Sequence, residues 1–320
     1  HFDNSLLYID YNGPSLGRVY YDPQRPNEAA YIRLKQDFTF PLLKGAVNPK
    51  DGLVYLSGFQ VWDTKAPRFS GICRIQPSKT PLTPTNVRYF KQGIQLSFAT
   101  KIHPDSVNPH MFKLERWNYI RTNKYGSGHY TLNGKAGQEE VAPSTATLSS
   151  DQKSIFIGVP GMKNVMQMAL SWRLLSAKNQ TMEHSVYFSV NTLSDFRSLS
   201  DSFPPIDFDA PPIAMSQGKK VTPSINLGEE TVLKFGCIGC HSQPKETAGK
   251  SGPAWSGLFS SKRELVDGTT VIADEKYLNE SILDPTAKAV KGFVPAMPSY
   301  QGIIKDYELE SIVLYLKSLK

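Results

Sequence analysis

The chain has 320 residues, 40% of them hydrophobic and 20% charged, with a formal net charge of +7. This length predicts two or three domains, and the ordinary apolar fraction excludes a disordered chain. With no run of eighteen apolar residues, the sequence also excludes a membrane-spanning helix.

Charge is spread unevenly. From Glu229 onward 11 Lys and Arg stand against 12 Asp and Glu, and before it 25 stand against 17. A basic amino-terminal part can meet acidic partners, membrane surface or nucleic acid. Its Lys and Arg are scattered without runs, however, so they read as solvated surface and form no nucleic-acid motif. The chain begins at His1 and not Met, which reads as a processed or truncated product with a signal removed upstream.

Residues 1–80 predict short strands. Leu6 to Tyr11 is an apolar run ended by Asn12-Gly13-Pro14, and Arg18 to Tyr21 is closed by Asp22-Pro23. Asp51-Gly52 opens Leu53 to Phe59, followed by Gly71 to Ile75. The segment resembles the last blade of a β-propeller, and Asp51 to Ile75 with Trp62 is similar to the closing repeats of sorbosone-dehydrogenase-like propellers. That resemblance implies an antiparallel, propeller-blade-like region. A blade must stack on neighbours, so three arrangements stay open: more chain before His1, a second chain completing the sheet, or a small independent β unit. Cys73, among strand residues, reads as an apolar filler.

Residues 81–194 predict a β-sandwich. Gly93 to Phe98, Ser154 to Val159, Met166 to Trp172 and Val186 to Val190 alternate or run apolar, with turn signals at Asn133-Gly134 and Pro160-Gly161. An aromatic stretch, Arg116-Trp117-Asn118-Tyr119 and Tyr125 to Tyr130, interrupts them; it reads either as a docking face or as core and loop aromatics. The region resembles the immunoglobulin-like domain between propeller and cytochrome in large secreted bacterial dehydrogenase-like proteins. Residues 195–227 carry five prolines (Pro204, Pro205, Pro211, Pro212 and Pro223) and read as an extended linker or wrapping segment.

Residues 228–320 predict short helices. Acids at Glu229 and Glu230 mark one start. Asp274 caps Glu275 to Leu283, which Pro285 stops. Asp306 caps a last helix whose Leu309, Ile312, Val313, Leu316 and Leu319 form one apolar stripe.

The most specific motif lies in this segment. Cys237-Ile238-Gly239-Cys240-His241 has the spacing of a covalent c-type haem attachment site. Two thiols three residues apart can form thioethers to one porphyrin edge, and the following histidine can ligate iron from the proximal side. A structural zinc site needs four ligands, and the third cysteine, Cys73, is distant. A thioredoxin-type pair needs a βαβ context that the sequence lacks.

After His241 one methionine remains, Met297, held between Pro295 and Pro298 in a stiff segment. It is the candidate second axial ligand; Met/His ligation raises the reduction potential and fills both axial positions. The core-filling role common to methionine is the weaker reading here. The metal ligands expected are therefore His241 and Met297.

With those residues in view, 228–320 resembles a class I cytochrome c domain, closely like those fused to subunit II of some bacterial terminal oxidases. The resemblance runs through Gly236 to His241, Ser251 to Phe259, Tyr277 to Pro285, Met297 to Tyr300 and Tyr315 to Leu319. It implies an all-α fold, a Pro253 carbonyl accepting from His241, and a crevice lined by Trp255 and Tyr300. It does not extend to the copper site of the oxidase subunit, since no second cluster of ligands exists.

The fold class expected is thus multidomain β + α: a propeller-blade-like segment (1–80), an immunoglobulin-like sandwich (81–194), a Pro-rich linker (195–227) and an all-α class I cytochrome c domain (228–320). The function expected is periplasmic or secreted electron transfer through one covalent haem c. Its partners would be redox donor and acceptor proteins or a fused dehydrogenase domain, with no nucleic acid and no transmembrane segment. The alternative is the carboxy-terminal part of a propeller-type sugar or alcohol dehydrogenase whose catalytic site lies elsewhere. A third is an adhesion module that uses haem only as a staple. Copper chelation by His1 with His103, His110, His129 or His184 is a further, weaker possibility. No motif for acid–base or nucleophilic catalysis is present.

Overall fold

The structure is a computed structural model that describes residues 5–21, 28–35, 37–62, 64–76, 82–197, 202–214, 221–243 and 250–319. The first three strands, β1 (Ser5–Asp10), β2 (Ser15–Tyr21) and β3 (Ala29–Lys35), form an antiparallel meander. Strands β4 (Lys44–Val47), β5 (Val54–Phe59) and β6 (Ser70–Ile75) form a separate three-stranded sheet. Its inner face, Val54 and Leu56, packs on Leu16, Phe38, Phe40 and Leu42.

Eight strands follow: β7 (Pro84–Phe90), β8 (Gly93–Phe98), β9 (Phe112–Trp117), β10 (Glu139–Val141), β11 (Thr145–Leu148), β12 (Ser154–Gly158), β13 (Val165–Leu175) and β14 (Thr181–Val190). They build two sheets, ordered β1-β2-β3-β14-β13-β9-β10 and β11-β12-β8-β7. Strand alternation turns Ile94, Leu96, Ile155 and Ile157 of one sheet toward Ile32, Leu170 and Val186 of the other, all fully buried in one core. Tyr89 stacks on Phe188 across that core, centroids 5.2 Å apart.

The other face of the four-stranded sheet is not left to water. Phe90 and Phe156 are covered by Phe196, Phe203 and Phe208 of the segment after β14, with Phe156 and Phe196 stacked at 4.0 Å. The first half of the Pro-rich stretch therefore wraps the sandwich.

The carboxy-terminal part holds α1 (Ile225–Lys234), the hairpin β15 (Lys262–Glu264) and β16 (Thr270–Ile272), α2 (Glu275–Leu283) and α3 (Asp306–Ser318). The Ser224 hydroxyl accepts from the Leu227 N–H and starts α1 at Ile225, four residues before the acids that the sequence marks. Asp274 accepts from the Tyr277 N–H at 2.8 Å and starts α2 where its sequence predicts. In α3, Asp306 is the first helical residue and not the cap: the Lys305 N–H is bound by Glu308 Oε2 at 3.0 Å. No helix among the described residues is long and apolar enough to cross a membrane.

The expected fold class is corrected in two ways. Residues 228–320 are not an all-α cytochrome c domain; the chain is mostly β, and this part itself contains a hairpin. Asp267-Gly268 makes its turn, with the Leu265 N–H bonded to the Thr269 carbonyl at 2.8 Å, and the β-branched run Thr269 to Ile272 forms the return strand.

Nor do residues 1–80 form a separate propeller-blade-like unit beside an immunoglobulin-like sandwich. β3 pairs with β14 through Ala30, Tyr31 and Ile32, so the meander β1 to β3 completes the larger sheet of the sandwich. Burial drives this, since Ala30 and Ile32 have their apolar partners only in the sandwich core. The sequence could not display that partnership, because the pairing spans more than 150 residues.

Candidate cofactor site

The segment Cys237 to His241 folds as one tight helical turn. The Cys240 and His241 N–H groups both donate to the Cys237 carbonyl, at 3.2 and 3.0 Å. A helical turn puts positions i, i+3 and i+4 on one face, so Cys237, Cys240 and His241 face together. Lys250 Nζ donates to the otherwise open carbonyls of Ile238 and Gly239, at 3.1 and 3.2 Å, and closes the end of the turn.

His241 is fixed in tautomer and orientation. Its Nδ1 lies 2.8 Å from the Pro253 carbonyl oxygen, which can only accept, so Nδ1 carries the proton and Nε2 keeps its lone pair. The ring stacks on buried Trp255, centroids 5.4 Å apart and planes 20° from parallel. Gly252 makes room for it: a Cβ there would meet His241 Cε1 at 2.6 Å and Nδ1 at 2.8 Å. Burial pushes the imidazole pKa down, against the opposing pull of the Pro253 carbonyl. The neutral ring is the form that can ligate a metal.

These residues open on a mostly apolar cavity with about 1270 Å³ of space between its atoms, its mouth to solvent included. Cys237, Cys240, His241, Pro253, Trp255, Met297 and Tyr300 all line it, so every residue singled out in the sequence for this site reaches one cavity. Val232 of α1, Ile282 of α2 and Leu316 of α3 form apolar walls.

Met297 arrives from a segment between α2 and α3 that is neither helix nor strand. The Ser299 hydroxyl donates to the Leu283 carbonyl at 2.5 Å and the Tyr300 N–H to the Ile282 carbonyl at 3.2 Å, which ties the far side of this loop to the end of α2. Tyr300 packs edge-on against Phe235 and brings its hydroxyl to the Phe235 carbonyl and the Cys237 thiol. Burial pushes up the pKa of the Cys237 thiol and of the Tyr300 phenol, so both stay protonated near neutral pH.

The donor set fits a covalently held porphyrin: two thiols on one face of a turn, an imidazole with a free Nε2, a thioether, and an apolar surround. It does not fit zinc, because no three His, Cys, Asp or Glu side chains among the described residues converge on one point. The copper alternative rests on His1, which lies outside the described residues; of the histidines named with it, His129 stacks on Trp117 and His184 packs near Trp172.

Sequence reasoning missed Gly252, Lys250 and the neighbours that the β part supplies. Gly252 had a readable signal, a residue without a side chain just before the histidine's carbonyl partner. Lys65 had none: it comes from the segment between β5 and β6 and donates to the Leu233 carbonyl at the end of α1, at 3.3 Å. In sequence, the chain matches no family model and no curated protein.

Proposed function

We propose that this protein is an electron-transfer protein carrying one covalent haem c. The observation that carries the reading is the convergence of Cys237, Cys240, His241 and Met297 on one apolar cavity, with His241 Nδ1 held by the Pro253 carbonyl. Cys237 and Cys240 would hold the porphyrin through two thioethers, while His241 Nε2 and the Met297 thioether would hold the iron. When bound, the group supplies one-electron chemistry, cycling between ferric and ferrous iron. The protein's own part is to fix both ligands and exclude water. Trp255 and Gly252 fix the imidazole plane, the Pro253 carbonyl sets the tautomer, and the apolar walls disfavour net charge in the cavity. Held by two protein ligands, such a group would serve electron passage and not oxygen or peroxide binding.

Covalent attachment of this kind places the protein outside the cytoplasm, among redox donors and acceptors or fused to a dehydrogenase. The test is intact mass under denaturing conditions after expression with a haem-attachment pathway. A gain of one haem supports the reading; a protein without added mass, in a strain that loads a control cytochrome, ends it. Met297→Ala should then open ferric iron to imidazole or cyanide. If the wild type binds them equally well, Met297 is not the ligand.

A further inference from the structure

We infer that the loop joining β9 to β10 is a positioning element for Met297, so that the β part of the molecule governs axial ligation; this rests on the haem reading above. The methionine loop has little of its own to hold it. Between Phe293 and Met297 its one internal backbone bond runs from the Ala296 N–H to the Val294 carbonyl. On its outer side it meets the aromatic loop of the β part.

That loop is rigid. Tyr130 and Asn118 exchange backbone hydrogen bonds of 3.0 and 2.7 Å. The His129 ring stacks on Trp117 at 4.5 Å, and Gln138 Nε2 lies 2.6 Å from its Nδ1. Glu139 accepts from the Leu132 N–H and from Arg116 Nε, both at 2.8 Å. What this scaffold offers outward is the His129 N–H, which donates to the Gln301 carbonyl at 2.8 Å.

The approach is backbone to backbone and admits no side chain. A Cβ on Gly128 would stand 2.4 Å from the Gln301 oxygen. Gly302 sits at φ +71°, and a Cβ there would stand 2.2 Å from the His129 oxygen. The Tyr130 hydroxyl reaches Gln301 Oε1 at 3.3 Å, and Lys124 Nζ binds both carboxylate oxygens of Asp284 at 2.8 and 2.9 Å. Gln301 is four residues from Met297 and adjoins Tyr300, which lines the cavity, and a Cβ on Gly126 of the same loop would stand 3.2 Å from Pro298 Cβ, next to Met297, so the loop bears on the methionine segment from both sides of its tie to α2.

The experiment uses the full chain with haem attached. Imidazole binding to the ferric protein reads the fraction with Met297 detached, because apparent affinity scales with that fraction. Gly128→Val should tighten imidazole binding about tenfold or more and weaken the optical signature of methionine ligation. Gly134→Asn is the control: it lies in the same loop, with nothing within 4 Å of its Cβ position, and should change neither. If Gly128→Val does not fold, Lys124→Glu should tighten imidazole binding and Asp284→Lys added to it should restore the wild-type value. Covalent haem with imidazole affinity unchanged in the variants overturns the positioning role and leaves the haem reading intact. Absence of covalent haem from the wild type, read by mass beforehand, fails the haem reading and this inference with it.

Discussion

Replacing Gly228 by alanine sets two effects of opposite sign against each other, and the structure decides between them. Gly228 lies in α1, buried where the helix crosses α3. Alanine is the better helix former, which alone would stabilise α1 by about 1 kcal/mol. But a Cβ at this position would fall 2.1 Å from the Ser311 carbonyl oxygen and 2.7 Å from Tyr315 Cβ, against 3.4 Å where ordinary contact begins. The blocking atom is backbone, so α1 and α3 must part by about an ångström, which loosens Val232 against Ile312 and Leu316. Overpacking costs roughly 1–3 kcal/mol, and a block by backbone belongs to the upper part of that range, about 2–3 kcal/mol, so after the helix-propensity gain of about 1 kcal/mol the net expectation is a loss of about 1–2 kcal/mol. Amide hydrogen exchange reads α1 and α3 separately from β13 and β14. Protection in the two helices should fall about five- to thirtyfold with the sandwich unaffected, while exposed Glu229→Ala should stay within about 0.5 kcal/mol of the wild type. Equal or greater protection in Gly228→Ala would mean that the helices yield freely, and the close-crossing argument would fail.

Phe196→Ala should cost about 3–5 kcal/mol in urea unfolding of the sandwich, because Phe196 is fully buried and stacked on Phe156; a cost below about 1 kcal/mol would return the segment after β14 to the status of a tether. His129 should make stability depend on pH. Burial lowers its pKa from the ordinary 6.5 to about 4, so between these values the unfolded chain binds more protons than the folded one. The contribution is fully present above about pH 6.5 and is lost as pH falls toward 4. His129→Phe should keep the stack on Trp117 and remove this part of the acid sensitivity; parallel curves of urea midpoint against pH for the two proteins would show that His129 is not its source.

The grouping of the candidate site was more legible in the sequence than the architecture was. Cys237, Cys240 and His241 stand at a spacing that one helical turn brings to a single face, and they line one cavity with Met297. Met297 could be singled out because few soft ligands were available. Asp274 was readable as a cap because its hydrogen bond is local. The all-α expectation failed at Asp267-Gly268, a hairpin signal that the sequence reading passed over between two helices. The separate blade failed at β3, whose strand pattern is correct but whose partner, β14, no local pattern can name. The aromatic stretch around Trp117 and Tyr130 was noticed but not assigned, since its role depends on backbone groups of the Met297 loop.

The same distinction explains why core and site could not be separated by periodicity in the carboxy-terminal part. Ile312 and Leu316 form the apolar stripe of α3, and with Val232, Leu278 and Ile282 they also line the cavity. In this unit the inner faces of the helices are at once core and binding surface. A substitution there changes helix packing and cavity shape together, so loss of ligand binding alone does not identify a contact residue. The polar fixtures do separate the two roles. The Pro253 carbonyl and Gly252 act on the His241 ring, and the His129 N–H acts on Gln301 at the other side. Neither interaction buries much apolar area, so their loss should alter ligation more than stability. The β part thus meets this unit through backbone contacts such as that of the His129 N–H, while the apolar wall of the cavity comes from the three helices and, in larger part, from the loops between them.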